Sequence, residues 1–222
     1  MLGKAAVTIW CNVAPEVREE FDHWHAHEHM PERLSIPGFR RGSRWVSEDG
    51  GSYFILYEVE SEGTLTSNAY LERLNNPTPW SRKMMAHHLG MVRSLCAVVS
   101  SSGSGLAAAM LTIRLSPRPE SAAGLRQWLA SELAGLPQRR GLAGARFLQD
   151  AGTKAPAPTT EQKIRGGDRT ADWILLLNGY SAEALERLAA EALNEAALVA
   201  HGAAPGSIAR IYRFAYSLGG KT

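Results

Sequence analysis

The spacing of apolar residues along this chain changes repeatedly between a period of about two residues, typical of strands, and a period of about 3.6 residues, typical of helices. Runs such as residues 53–59 (YFILYEV) are typical of strands, whereas apolar residues four positions apart, as at Leu125, Leu129 and Leu133, are typical of a helix that buries one face. The pattern predicts strands at 4–13, 39–47, 52–60, 90–99, 107–115, 143–149, 172–179 and 207–217. It predicts helices at 15–30, 64–75, 119–135 and 181–199, with a further helical turn region at 78–88.

The order of these elements is the same in both halves of the chain. Each half is predicted to be β-α-β-β-α-β, which is the ferredoxin-like unit with two helices on one face of an antiparallel sheet. The predicted fold class is therefore α+β, with two tandem ferredoxin-like units whose sheets pack face to face as a barrel within one chain. Residues 100–105 (SSSGSG) have the composition of a flexible linker, and they predict one domain at 1–102 and another at 106–222.

An internal alignment supports the repeat. When Trp24 is set against Trp128, Glu28 matches Glu132, and a shift of two residues then matches Arg44 with Arg146. In the same alignment the second half has Leu129 and Leu133 where the first half has two histidines, His25 and His29. Because the leucines are typical of core positions, the two histidines are predicted to point inward as well.

Four histidines lie close together in the first predicted helix, at positions 23, 25, 27 and 29. Successive helical residues advance by about 100°, so His25 and His29 share one face while His23 and His27 share another. The second pair is predicted to face solvent. A buried neutral imidazole at position 29 suits a general base near pH 7, and the alternative is a structural histidine that makes one internal hydrogen bond.

Residues His25 to His29 also fit H-x-x-E-H, a pattern in which two helix histidines bind zinc. The third ligand of such a site is not evident in the sequence, and the ferredoxin-like setting disfavours a zinc peptidase. No metal is therefore predicted to belong to the site.

A second polar cluster follows the predicted helix at 64–75. It contains Tyr70, Trp80, His87 and His88. Trp80 is expected in the core or as a cover of the pocket. The two adjacent histidines either contribute to a site or stabilise the C-terminus of a helix.

Composition narrows the range of partners. The chain has 222 residues, a formal net charge of +2 and 45% hydrophobic residues. It has no long Lys/Arg run, which disfavours nucleic acid and anionic membranes as partners. Because it has neither a secretory signal pattern nor an apolar run of about 18 residues, a cytoplasmic location is expected.

The segment from Trp24 to Gly38 fits W-x4-H-x-P-x5-P-G through Trp24, His29, Pro31, Pro37 and Gly38. In this it resembles the dimeric α+β barrel superfamily, nearest its EthD-like branch, over about residues 4–99. Members usually build the barrel from two chains, so this chain looks like a fused tandem version, and a homodimer is also compatible with the resemblance. The superfamily includes cofactor-independent monooxygenases, polyketide cyclases, decarboxylation and dehalogenation enzymes, and haem-degrading enzymes.

The resemblance also implies where a site would lie, namely in a pocket between helices and sheet of one unit. His29 matches the helix histidine of the family, and Tyr70 with His87 or His88 would provide the tyrosine–histidine pair of the cyclases. The predicted catalytic residues are His29, His25, Tyr70 and His87, and the predicted ligand-binding residues are Trp24, Glu28, Trp80 and His88.

These observations predict a protein that binds a small molecule in its N-terminal half. If it is an enzyme, it transfers protons on a hydrophobic or aromatic substrate, with His29 as base and no organic cofactor. Two alternatives remain open, a ligand-binding protein without catalysis and a haem or metal binder that uses the helix histidines. The Pro/Thr/Gly-rich stretch at 150–171 is expected to be disordered, with a lid as the alternative.

Overall fold

A computed structural model describes residues 1–103, 105–152 and 157–220. Its strands are β1 (Ala5–Asn12), β2 (Phe39–Val46), β3 (Ser52–Val59), β4 (Leu89–Ser102), β5 (Ala109–Leu115), β6 (Leu142–Asp150), β7 (Trp173–Gly179) and β8 (Ile208–Gly219). Its α-helices are α1 (Arg18–Trp24), α2 (Met30–Leu34), α3 (Glu62–Leu65), α4 (Asn68–Asn75), α5 (Pro79–Met85), α6 (Ala122–Ala134), α7 (Thr160–Ile164), α8 (Ala182–Glu191) and α9 (Glu195–Ala200).

The predicted α+β fold class is confirmed. The eight strands of the described chain form an antiparallel barrel in the order β1-β3-β2-β8-β5-β7-β6-β4. None of the helices in the described ranges is long and apolar enough to cross a membrane.

Contacts within the chain divide it into two compact units that do not follow one cut in the sequence. Of the described residues, the first unit comprises 2–97, 151–152, 157–170 and 215–220, and the second comprises Met1 with 98–103, 105–150 and 171–214. Strand β4 continues to Ser102. Residues 100–102 of the predicted linker at 100–105 are therefore strand, and Ser104 lies outside the described residues.

The core of the first unit lies between its sheet and its helices. Ile9 of β1 is opposite Ile55 of β3 and Arg93 of β4, so these three side chains share one face of the sheet. The other face is also buried, as Trp10 and Phe54 show with exposed fractions of 4% and 0%. Because both faces are buried, these strands are apolar nearly throughout their length rather than alternating.

The first predicted helix is longer than expected and changes its geometry in the middle. A π-helical turn, His25–His29, separates α1 from α2. Pro31 lies in the second of these helices, where it has no backbone N–H to donate to the carbonyl group four residues before it. A wider turn is a common way to accommodate such a missing hydrogen bond, and π-turns are frequent at functional sites.

Two other predicted helices are broken by residues that cap a new helix. The helix expected at 64–75 is two helices, because the Ser67 side chain accepts a hydrogen bond from the Tyr70 backbone N–H and starts α4. The helix expected at 181–199 is broken in the same way, where Asn194 caps α9. Both capping residues were visible in the sequence, but the apolar period continued across them.

The second unit is packed around leucines, as the repeat predicts. Leu129 and Leu133 of α6 have exposed fractions of 0% and 2% and lie in the apolar core of this unit. The matched arginines Arg44 and Arg146 are both buried in the second strand of their unit, and Arg146 Nη1 donates to Asn178 Oδ1 at 2.6 Å.

Candidate functional site

A small cavity of about 30 Å³ lies in the first unit, between the sheet and the helices. Its floor is apolar and is formed by side chains from one face of the sheet, among them Val7, Ile9, Ile55 and Met91. The volume is enough for about two water molecules, so an organic ligand can enter only if part of the wall moves.

One wall is a row of polar side chains spaced four residues apart. His25, His29 and Arg33 all line the cavity. His25 and His29 have exposed fractions of 1% and 8%, whereas His23 and His27 are exposed to solvent. The prediction of which helix face points inward is therefore confirmed. Arg33 continues the same row, and sequence reasoning missed it although the i, i+4 spacing was available.

The two buried histidines have few hydrogen-bonding partners. His25 Nε2 is 3.4 Å from the Tyr57 hydroxyl group, and the His29 ring stacks on Trp24 with a centroid distance of 4.5 Å. Within the described part of the chain, Nδ1 of each histidine is buried and makes no hydrogen bond. For His29, the nearest carboxylate recorded is Glu32, whose Oε2 is 3.9 Å from Nδ1. Each ring therefore has a nitrogen that remains available for a further partner.

Burial keeps these imidazoles neutral. It lowers the pKa of His25 and of His29 well below the ordinary value, and the nearby positive charge of Arg44 or Arg33 lowers each of these pKa values further. Burial likewise lowers the pKa of His88 to about 4, with a further contribution from Arg165. Neutral imidazole at pH 7 has a free lone pair, as a proton acceptor requires.

The second polar cluster is only partly brought to the cavity. Tyr70 and His88 line it, and the Tyr70 hydroxyl group accepts a hydrogen bond from Arg93, another lining residue. His87 is half-buried and lies outside the lining. The two histidines follow each other where α5 leads into β4, so their side chains take different directions.

Trp24, Glu28 and Trp80 lie outside the cavity and connect elements around it. Glu28 Oε1 accepts hydrogen bonds from the Trp24 indole at 3.2 Å, from Thr78 at 2.6 Å and from Ser81 at 3.1 Å. The Trp80 indole donates to Glu20 at 3.2 Å. Trp80 packs against the apolar core of the unit, which is one of the two locations expected for it.

The remaining wall comes from residues 157–170, which we call the strap. The disorder expected for 150–171 is wrong for these residues, because they form α7 and bury Glu161 to an exposed fraction of 3%. Helix α7 begins with a capping box in which Thr159 and Gln162 bond to each other's backbone N–H groups. Residues 153–156 of the same predicted loop lie outside the described residues.

The strap inserts two charged side chains into the cavity wall. Glu161 and Arg165 are four residues apart on α7, and both line the cavity. Glu161 Oε1 accepts a hydrogen bond from Arg33 Nη2, and Arg165 pairs with Asp168 through Nη2 and Oδ2 at 2.8 Å. Sequence reasoning missed both residues. The only signal for an ordered segment was the T-x-x-Q pattern that begins α7.

Among residues 1–103, 105–152 and 157–220, no group of three or more His, Cys, Asp or Glu side chains is arranged to hold a metal ion. The centroids of the His25 and His29 rings are 5.7 Å apart. The H-x-x-E-H pattern thus places two of its residues on the cavity wall, but within the described chain no third ligand accompanies them.

No family model matches the chain, and no curated protein matches its sequence. Several solved structures are similar in fold. An anthrone oxidase-like protein is 12% identical with a TM-score of 0.72, and the match covers 100% of this chain and 95% of that one. A proposed monooxygenase from Fusobacterium nucleatum is 7% identical with a TM-score of 0.65, covering 99% and 96% of the two chains.

A proposed monooxygenase from Lactobacillus acidophilus is 9% identical with a TM-score of 0.60, covering 97% of this chain and 96% of that one. At this level of identity the likeness concerns the fold alone. The chain therefore shares the α+β barrel fold of monooxygenase-like proteins.

Proposed function

We propose that this protein binds a hydrophobic or aromatic small molecule in the cavity of its first unit and transfers a proton from it to His29. The observation that carries the proposal is the row of neutral, buried imidazoles against an apolar floor. General bases in enzymes are typically such groups, held next to a hydrophobic binding surface. The finer assignment to a fused tandem member of the EthD-like branch belongs to the same proposal.

The residues around His29 suggest how the chemistry is divided. His29 would accept a proton from an acidic C–H group, because its Nδ1 has no internal partner. The electron pair left behind would delocalise onto an oxygen atom of the substrate as an enolate or phenolate. Arg93 and Tyr70 would supply hydrogen-bond donors to that oxygen. His25, bonded to Tyr57, would hold the helix face in position beside the base.

Haem is a poorer fit for this cavity. A site for a molecule of that size usually has a volume of about 300 Å³ or more, whereas this one has about 30 Å³ and is bounded by the Arg33–Glu161 pair. Formation of a Soret band on reconstitution with haem would favour that alternative.

The test compares His29→Ala with His27→Ala, two substitutions of the same kind on opposite faces of one helix. Anthrone is a suitable probe, because the name of one structural neighbour includes it and because it carries an acidic C–H group. We expect the wild-type protein and His27→Ala to catalyse deuterium incorporation at that carbon in D₂O, measured by NMR. We expect His29→Ala to lose this activity while losing only about 1–3 kcal/mol of stability.

Equal effects of the two substitutions would show that the wrong face of the helix has been chosen. Binding of the probe by calorimetry without any deuterium incorporation in the wild-type protein would favour the non-catalytic alternative. If the wild-type protein neither binds the probe nor exchanges its proton, the proposed function is wrong for this substrate class.

A further inference from the structure

A carboxylate of the chain itself occupies the cavity wall. Glu161 of the strap is bonded to Arg33, and each of these side chains is only 4% exposed. The pair joins residues 128 positions apart in the sequence. A glutamate buried this deeply, bonded to an arginine beside the apolar floor of the cavity, resembles a ligand that the protein supplies to its own binding site.

We propose that the molecule bound in this cavity is an apolar monocarboxylate, and that its carboxylate replaces Glu161 on Arg33 as the strap moves outward. This rests on the proposed function, because it concerns the same cavity. A guanidinium group has a planar arrangement of donors that matches a carboxylate, so one carboxylate can replace another with the same geometry.

The distribution of charge favours an anion over a neutral ligand. The strap's three buried charged residues, Glu161, Arg165 and Asp168, together carry one net negative charge. The charged groups that remain on the cavity side, Arg33, Glu32 and Arg93, together carry one net positive charge. Outward movement of the strap therefore leaves the cavity short of one anion, and a monocarboxylate restores the balance. A neutral ligand would leave buried Arg33 with Glu32 as its acidic partner, and Glu32 is also 3.9 Å from Arg73, so the cation would be only partly compensated, which is costly.

Arg93 adds a second point of attachment. It lines the cavity and donates to the Tyr70 hydroxyl group, which is uncharged. Within the described residues, no carboxylate oxygen is recorded within 4 Å of its guanidinium group. A ligand that carries negative charge would thus meet one cation already released by Glu161 and another that has no acidic partner.

The strap is attached in a way that permits it to move as a unit. Helix α7 is short, and it is followed after Arg165 by Gly166 and Gly167, which have φ values of 77° and 98°. Their N–H groups bond to the carbonyl groups of Lys163 and Gln162, the arrangement that terminates a helix at a left-handed glycine. The helix is joined to α4 by a hydrogen bond of 3.1 Å from the Thr160 N–H to Asn75 Oδ1. Arg169, at the end of the strap, is bonded to β4, where its N–H donates to the Met91 carbonyl group and its carbonyl group accepts from the Arg93 N–H. Opening is therefore a movement of α7 about this attachment, which breaks the contacts of Thr160 and Glu161.

The experiment uses 3-phenylpropionate, whose carboxylate is carried on two methylene groups as in a glutamate side chain, and the uncharged 3-phenylpropionamide of nearly the same shape. Their affinities are measured by calorimetry for the wild-type protein, for Glu161→Gln and for Glu60→Gln. Glu60 is the matched control, because it pairs with Arg40 at 2.9 Å on the surface of the same unit, where it is 58% exposed.

We expect Glu161→Gln to bind the carboxylate about tenfold more tightly than the wild-type protein, because the internal competitor is gone. The affinity for the amide should change less than threefold, and Glu60→Gln should change neither affinity.

If Glu161→Gln raises the affinity for the amide as much as that for the carboxylate, Glu161 merely closes the cavity and the inference is wrong. If the amide and anthrone both bind and the carboxylate binds no more tightly than the amide, the proposed function stands but this inference is wrong. If no probe binds, the proposed function fails and this inference fails with it.

A second measurement does not depend on the folding of any variant. Hydrogen exchange of the α7 amides of Lys163 and Arg165, which are bonded to Thr159 and Glu161, is followed in the wild-type protein. We expect 3-phenylpropionate at saturation to speed this exchange and 3-phenylpropionamide to leave it unchanged. Slower or unchanged exchange with the carboxylate would overturn the displacement of the strap.

Discussion

Three buried histidines make the stability of the first unit depend on pH. His25, His29 and His88 have pKa values lowered by burial, whereas a histidine in the unfolded chain titrates near about 6.5. Below that value the unfolded chain binds more protons than the folded protein. The free energy of unfolding therefore falls as the pH decreases, and the stability that comes from keeping these rings neutral is present above about pH 7.

We predict that His88 alone accounts for about 3 kcal/mol of the stability lost between pH 7 and pH 4, because its pKa of about 4 lies well below the unfolded value. The variant His88→Asn should lose correspondingly less stability over this range, as measured by urea unfolding at a series of pH values. His87→Asn is the matched control, since His87 lies outside the cavity lining. An identical pH dependence of the His88→Asn variant and the wild-type protein would contradict the prediction.

At the scale of single elements, the strap depends on the cap that begins α7. Thr159 is buried and its side chain accepts a hydrogen bond from the Gln162 N–H, whereas Thr160 contributes only its backbone to the adjacent contact with Asn75. A helix of five residues has little stability of its own, so the loss of a capping bond should affect it strongly.

We predict that Thr159→Ala destabilises α7 locally by about 1 kcal/mol. Hydrogen exchange of the α7 amides should become about five times faster, while the melting temperature of the protein should change little, because the rest of the core is untouched. Thr160→Ala should leave both quantities as they are. A large fall in melting temperature without faster local exchange would show that the strap is part of the global fold and does not open separately.

The helices and the strap also show what the sequence could predict. The inward face of the first helix followed from its period and from Leu129 and Leu133 in the repeat, and Arg33 could have been added by extending the same row. Glu161 could not have been predicted as a site residue, because its partner lies 128 positions away and the sequence around it is rich in Pro, Thr and Gly. Such a composition indicates a loop when no distant partner is known. The choice between His87 and His88 likewise depended on the direction of one turn, which periodicity does not specify.

At the scale of the whole molecule, the two units have the same order of elements but different interiors. The first has polar side chains in its helix–sheet layer, at His25 and His29, and the second has leucines at the matching positions. Buried polar groups without partners reduce stability, and proteins retain them where function requires it. This asymmetry is consistent with a site in the first unit and a purely structural interior in the second.

We predict opposite results from exchanging the residues at one matched pair of positions. Leu133→His should destabilise the protein by about 3 kcal/mol, because it buries an imidazole in an apolar core without a partner. His29→Leu should change stability by less than about 1 kcal/mol at pH 7, because the lost stacking on Trp24 is offset by removal of an unpaired nitrogen. Urea unfolding of both variants measures the change in the free energy of unfolding. Equal losses in the two variants would contradict the prediction.

The division of the first unit among three stretches of chain has a consequence for its synthesis. Residues 2–97 leave the ribosome early, but the strap follows β5 and β6 of the second unit, and the last strand of the chain supplies residues 215–219. Ser217 near that end donates to the Gly42 carbonyl group at 2.9 Å. Arg33 therefore cannot meet Glu161 until more than a hundred further codons have been translated, so this wall of the cavity is completed only late in elongation.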